Sequence, residues 1–304
     1  MEFEAPDWKA LHSSLARRRR FAFCPVGYYL YHVAGRDGYA EHPDDWHYMV
    51  YCAKHCVTAS GWIKGVFRKY VSSYFLQGSD YRKNNLQLFL SRNFERDFTL
   101  LMRCEFLSDP KIVSNVVELE LKKLSINEFY DRAQLELNGL YNSFIRQDFA
   151  ASLERVPLVD IVCGNDICWQ LGGVNFSSMP EVIWHGGNQL NILDMNSYAY
   201  EQERERSGEL FRAYCWRFRH IPPEKVRVIN FDLFRRETYY VESSGEDFTA
   251  IFRALAAEAA MWRDYLVKQD AAAIDGAWHY AQLDKCQHCR FCRVCPACHG
   301  TAVD

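Results

Sequence analysis

No apolar run among the 304 residues approaches the roughly 20 needed to cross a bilayer. The opening MEFEAPDWKALHSS is acidic and broken at Pro6, unlike a secretory signal, so a cytoplasmic protein is expected. The chain also lacks a Pro-, Gly- or Ser-rich linker, an internal repeat and an excess of charge of either sign: 36 Lys and Arg stand against 39 Asp and Glu. With a formal charge of -3, any nucleic-acid contact must use local basic patches rather than a global positive field. Hydrophobic residues at 49% and charged residues at 25% exclude a disordered or collagenous chain.

Cysteine is not scarce. There are 12, and in a reducing compartment they argue against a disulfide framework. Five of them, Cys286, Cys289, Cys292, Cys295 and Cys298, recur at a spacing of three in KCQHCRFCRVCPACHG. Two cysteines separated by two residues can aim both thiolates at one metal centre across a tight turn, which suits zinc or an iron-sulfur cluster. His47, Cys52, His55 and Cys56 offer a second metal pattern. Cys52 and Cys56 lie one helical turn apart among apolar residues, however, and read as core cysteines beside surface histidines.

The N-terminal segment, residues 1–43, carries Arg17, Arg18, Arg19 and Arg20 directly before Cys24-Pro25 and the aromatic residues Tyr28, Tyr29 and Tyr31. Such a run is either a solvated face or a nucleic-acid contact with stacking rings beside it. Residues 44–124 have helical periodicity and predict a helical lobe inserted in one continuous fold. A core over 125–270 opens with Ser125 as an N-cap and an amphipathic helix from Ile126 to Leu153, then turns strand-rich. After a helix ending before Pro222-Pro223, KVRVINFDLF predicts a further strand and the stretch around 250–269 a further helix. Residues 271–304 form the cysteine-rich tail. Helices alternating with strands predict an α/β fold in an α-β-β-β-α order.

The centre of this core is PEVIWHGGNQLNILDMN, Pro180 to Asn196. Imperfectly alternating apolar residues flank His185-Gly186-Gly187-Asn188, a hairpin signal that would set Glu181 and Asp194 at neighbouring strand ends. Two carboxylates so placed repel unless protonated or bridged by a cation, and hard oxygen donors suit Mg2+ or Mn2+.

Pro180-Glu181 followed by Asp194-Met195-Asn196 resembles the PD-(D/E)xK nuclease superfamily, with Asn196 where that motif has lysine. The tract from Phe21 to Gly35 is similar to the cysteine-led opening of RecB-type nucleases that carry an iron-sulfur cluster. In families related to the CRISPR spacer-acquisition exonuclease, one N-terminal cysteine and a C-x2-C-x5-C group hold a 4Fe-4S cluster. Cys24 with Cys286, Cys289 and Cys295 matches that arrangement, leaving Cys292 and Cys298 spare, and a zinc site made from the tail alone is the alternative.

The resemblance implies a restriction-endonuclease-like core, Glu181 and Asp194 as metal ligands, and Asn196 and Tyr214 as further catalytic positions. It also shows departures: Gly65 where a helix histidine is expected, and Leu210, beside Glu209, where a glutamine would precede Tyr214. Together with Asn196 these imply a catalytically degenerate DNA-binding subunit of a repair or antiviral-defence complex, acting on single strands or duplex ends with other protein subunits. The alternatives are a working Mg2+- or Mn2+-dependent deoxyribonuclease in which Lys64 or a partner's side chain replaces the lysine, and a zinc-ribbon interaction protein.

Overall fold

Gly187 adopts φ of 62°, a left-handed conformation open to glycine without steric cost. The chain therefore reverses over Gly187-Asn188 and pairs β7 (Val182–Gly186) with β8 (Gln189–Asp194), Val182 opposite Leu193. This hairpin lies inside a five-stranded sheet of order β10-β9-β8-β7-β4, with β4 at Ile161–Cys163, β9 at Val226–Asp232 and β10 at Glu237–Val241. Within this sheet, among the described residues, only β8 and β9 are parallel, and parallel neighbours need a crossover. A 19-residue helix, Glu201–Arg219, supplies it.

The computed structural model describes residues 11–13, 17, 20, 23–35, 45–76, 85–103, 114–120, 122–156, 161–163, 167–171, 174–178, 180–198 and 200–243, scattered positions in 248–260, and residues 286 and 289–295. The protein is mixed α/β, mostly helical with small sheets. In chain order its helices are α1 (Pro25–Tyr29, continuing as a π-turn over Leu30–Ala34), α2 (Asp45–His55), α3 (Ala59–Leu76), α4 (Leu86–Met102), α5 (Val117–Glu120), α6 (Ile126–Ile145), α7 (Asp148–Glu154) and α8, the crossover helix. Further strands are β1 (Leu11–Ser13), β2 (Cys56–Val57), β3 (Asn115–Val116), β5 (Ile167–Leu171) and β6 (Val174–Ser178), with β1, β6 and β5 forming a separate sheet. Arg18, Arg19, Cys298 and most of the stretch expected as a helix over 250–269 lie outside the described residues.

Both faces of the main sheet are covered. On one, Val182, Trp184, Leu193, Ile229 and Phe231 join a core shared with α3, α4, α6 and α7, where Phe231 meets Phe144 edge-on at 5.6 Å. On the other, Ile183, Leu190, Ile192, Val226 and Val228 pack against Phe211, Ala213 and Cys215 of α8. Burial on both sides explains why the apolar alternation around β8 is imperfect. A third cluster joins Val26, Leu30 and Val50 from the N-terminal segment and α2 to Phe291, Val294 and Cys295 from the tail.

Local signals set the helix ends. Ser125 and Glu128 form a reciprocal capping box at the start of α6. The stretch expected as one helix to Leu153 is two, because the chain leaves α6 at Arg146 and restarts α7 after Gln147. His220, at φ of 56°, ends α8 ahead of Pro222 and Pro223.

One buried arginine, paired within α8, ties that helix to the sheet. Arg212 meets Glu209 at 3.2 Å and donates to the carbonyls of Glu242 (3.0 Å), Val226 (3.4 Å) and Val241. Gly208 permits the close approach, since a Cβ there would stand 2.6 Å from a methyl of Val241. Arg212→Met deprives a buried carboxylate of its cation and is expected to lower stability by about 3–5 kcal/mol in denaturant unfolding. Glu209→Gln in the same background should recover part of that loss, and equal losses in the single and double variants would show that the charge is not its cause.

Candidate functional site

The hairpin register brings the two acidic residues together. The Glu181 amide donates to the Leu193 carbonyl at 2.9 Å, and the Glu181 carboxylate accepts at Oε2 from the Met195 amide at 2.6 Å. Asp194, the last residue of β8, accepts at Oδ1 from the Asn196 amide (3.2 Å) and side chain, and at Oδ2 from the Tyr198 hydroxyl. Tyr198 is itself bonded to Ser207 of α8 at 2.8 Å. From the parallel neighbour β9, Asn230 donates to the carbonyls of Asp194 (3.0 Å) and Asn196 (2.8 Å) and so fixes the backbone between them. Glu181 and Asp194 are 4% and 1% exposed, so both carboxylates are withdrawn from bulk water.

The cation at this site is Arg68. Its side chain comes from α3 on the other layer, with Nε 2.5 Å from Glu181 Oε1, Nη2 also against that oxygen, and Nη1 3.1 Å from Asn196 Oδ1. Burial works to lower the Arg68 pKa, but the charges of Glu181 and Asp194 outweigh it and hold the guanidinium above its ordinary value. Each of the four carboxylate oxygens thus already accepts a hydrogen bond from the protein. Each oxygen keeps a further lone pair, so these bonds alone do not bar Mg2+ or Mn2+, but the positive charge beside Glu181 is already supplied by Arg68.

Lys64, one turn before Arg68, places its Nζ 4.7 Å from the centre of the Phe234 ring. Gly65 leaves space, since nothing lies within 4 Å of where a Cβ would stand. Lys64, Gly65, Arg68, Asn196, Phe234 and Arg235 help to line a cleft of about 660 Å³ that opens beside the carboxylate pair. Tyr214 is not part of it: this residue packs on the α8 side of the sheet and stacks near Phe218, ring centres 5.2 Å apart. Leu210 packs there too, and Glu209 is the Arg212 partner. The tyrosine that reaches Asp194 is Tyr198, which sequence reasoning missed along with Arg68 and Asn230. Arg68 lies three residues past Gly65 on the same helix face, but nothing local in the sequence joins it to Glu181.

The cysteines meet at the third core cluster. Cys24 caps α1, accepting from the Gly27 amide at 3.4 Å, and lies in the same patch as Cys286, Cys289, Cys292 and Cys295. Burial pushes the Cys289 thiol up to about 11; the Phe291 amide acts the other way, and Cys24, Cys295 and Cys286 add to the rise. These four thiols therefore lie within electrostatic reach, although among the described residues no three Cys, His, Asp or Glu side chains stand close enough to hold a metal ion as placed. Trp46 of α2 donates to the Val294 carbonyl at 2.9 Å, and Arg290 to that of Lys54 at 3.1 Å. Cys52 and Cys56 are half-buried, with the Cys56 thiol donating to the Cys52 carbonyl at 3.5 Å.

Arg20 is committed to this same junction. Its guanidinium lies 3.4 Å from the centre of the Tyr31 ring, and Nη1 is 2.9 Å from His32 Nε2. Tyr28 is fully buried, whereas Tyr29 and Tyr31 are partly exposed. Arg17 is half-buried.

Burial, and then the charge of Glu181, push the Asp194 pKa from its ordinary 3.8 to about 7, against the opposing effects of Tyr198, Arg68 and Asn196. The folded protein keeps this proton to about pH 7 while the unfolded chain releases it near 3.8, so Asp194 costs stability progressively as pH rises between those values. Asp194→Asn, which cannot ionise, should gain stability relative to wild type between pH 5 and 7.5. A difference that does not change with pH in urea melts would show that Asp194 is ionised throughout.

No protein-family model matches the chain, and no curated protein matches it. Among solved structures, one titled "Crystal structure of SSO0001" aligns over 59% of this chain and 78% of its own, with 16% identity and a TM-score of 0.25, a likeness that carries no argument about function.

Proposed function

We propose that this protein binds DNA through a PD-(D/E)xK-like core whose catalytic centre is degenerate, and that it serves as a subunit of a repair or antiviral-defence complex. The observation that carries this reading is Arg68. Its guanidinium bridges Glu181 and Asn196 and supplies beside the acidic pair the positive charge that an active centre would draw from a metal. Parallel β8 and β9 joined by α8, with the acidic pair at the end of the β7–β8 hairpin, supply the strand and helix order that the motif calls for. A second reading is a working deoxyribonuclease in which Arg68 itself replaces the lysine; its Nη1 contact with Asn196 favours this.

Under the proposal the wild type binds DNA without cutting it in Mg2+ or Mn2+, and neither ion shifts its melting temperature. Arg68→Ala with Asn196→Lys vacates the site and restores a cation at the strand end. This double variant should gain metal-dependent cleavage that Asp194→Ala abolishes. Wild-type cleavage that depends on Asp194 would favour the second reading, and cleavage indifferent to Asp194 would place the active centre elsewhere.

Cys24, Cys286, Cys289 and Cys295 are proposed to hold a 4Fe-4S cluster, supported by their shared patch and by the clasp of α2 on the tail. When bound, such a cluster would cross-link segments more than 260 residues apart, Cys24 and Cys286. Protein prepared without oxygen should be brown with about four irons per chain. Cys24→Ser should lose iron as fully as Cys289→Ser, while Cys292→Ser keeps it. Zinc in place of iron would support the zinc-ribbon alternative instead.

A further inference from the structure

Phe234 is an apolar side chain in an unusual place, three-quarters exposed at the β9–β10 turn. Exposed loop tips are ordinarily mobile, but this one is fastened on three sides. The Asp232 carboxylate, 2% exposed, accepts from the amides of Phe234 (2.8 Å) and Arg235 (3.1 Å). The Phe234 amide also donates to Ser197 at 3.0 Å, which binds the turn to the strand end that carries Asp194 and Asn196. Arg236, held at φ of 61°, lies over Gly139 of α6, where a Cβ would collide with its guanidinium. A turn so fixed presents the ring from an ordered backbone, so that only the side-chain torsions remain to be ordered on contact with a ligand.

Its surroundings indicate which ligand. Lys64 stands over the ring, Arg235 is next to it in sequence, and the ring forms part of the cleft that reaches Arg68 and Asn196. A rigid aromatic face bordered by cations in an open groove is the combination that holds a base by stacking and its phosphates by charge. Duplex DNA keeps its base faces inside the stack, so only an unpaired base can use such a ring. We propose that Phe234 is a stacking platform for an unpaired base of a single-stranded nucleic-acid segment, with Lys64 and Arg235 meeting its phosphates. The inference rests on the nucleic-acid reading above and adds a strand preference and a contact residue.

The test compares a short oligothymidylate with an abasic oligomer of equal length and equal phosphate count, using fluorescence anisotropy on the full chain. Wild type should prefer the oligothymidylate. Phe234→Ala should weaken that binding by about 5- to 100-fold and leave the abasic oligomer unaffected, while Phe234→Trp retains the preference. Lys64→Glu should weaken both. Because Phe234 is exposed, the melting temperature of Phe234→Ala should match wild type. Equal binding of the two oligomers by wild type, or an unchanged preference in Phe234→Ala, overturns the stacking inference and leaves nucleic-acid binding standing. If wild type binds neither oligomer, the nucleic-acid reading falls and takes this inference with it.

Discussion

Two carboxylates buried beside one another repel, and water is not there to screen them. Here a single guanidinium from a different layer relieves that repulsion, and much of the local structure is arranged around its arrival. Helix α3 must lie across the end of the sheet for Arg68 to reach Glu181, which places Lys64 and Gly65 along the same margin. Strand β9 must run parallel to β8 for Asn230 to hold the Asp194–Asn196 backbone, and that pairing requires the α8 crossover. The ion pair, the sheet order and the cleft are therefore one construction.

Drawing the positive charge from a facing helix rather than from the strand end sets what the site can do. A lysine two residues past the second carboxylate would extend alongside a metal ion. A planar guanidinium, with five donors in a fixed fork, can instead span Glu181 and Asn196 and close the gap between them. Asn196 fits this arrangement in a way that lysine would not, because its carbonyl accepts from Arg68 while its amide group donates to Asp194. Asn196 and Arg68 are complementary as they stand.

The parts of this structure legible in the sequence are those governed by near neighbours. Gly186-Gly187 announced the hairpin and thereby the meeting of Glu181 and Asp194; Ser125 announced α6, and Pro222-Pro223 the end of α8. Arg68 was not legible because its partner is 113 residues away and only the packing of α3 joins them. The same limit hid Tyr198, whose role depends on which sheet face α8 covers, and it made Tyr214 a plausible site residue when it belongs to the packing beneath α8. The break at Arg146-Gln147 escaped notice because the apolar periodicity carries across it. Spacing alone cannot place Cys24 in the same hydrophobic patch as the tail, since the segments are so distant in sequence.

The patch that unites α1, α2 and the tail has a mechanical side. With the regions around Cys24 and Cys295 packed against each other, tension applied beyond Cys295 would meet this patch first, whereas tension from the N-terminal side would meet the β1–β6 pairing. The hydrogen bonds between Trp46 and Val294 and between Arg290 and Lys54 lie on that load path, ahead of the sheet. The junction is a core separate from the two that cover the main sheet, so local opening there need not strain the β7–β8 hairpin or the Arg68 ion pair.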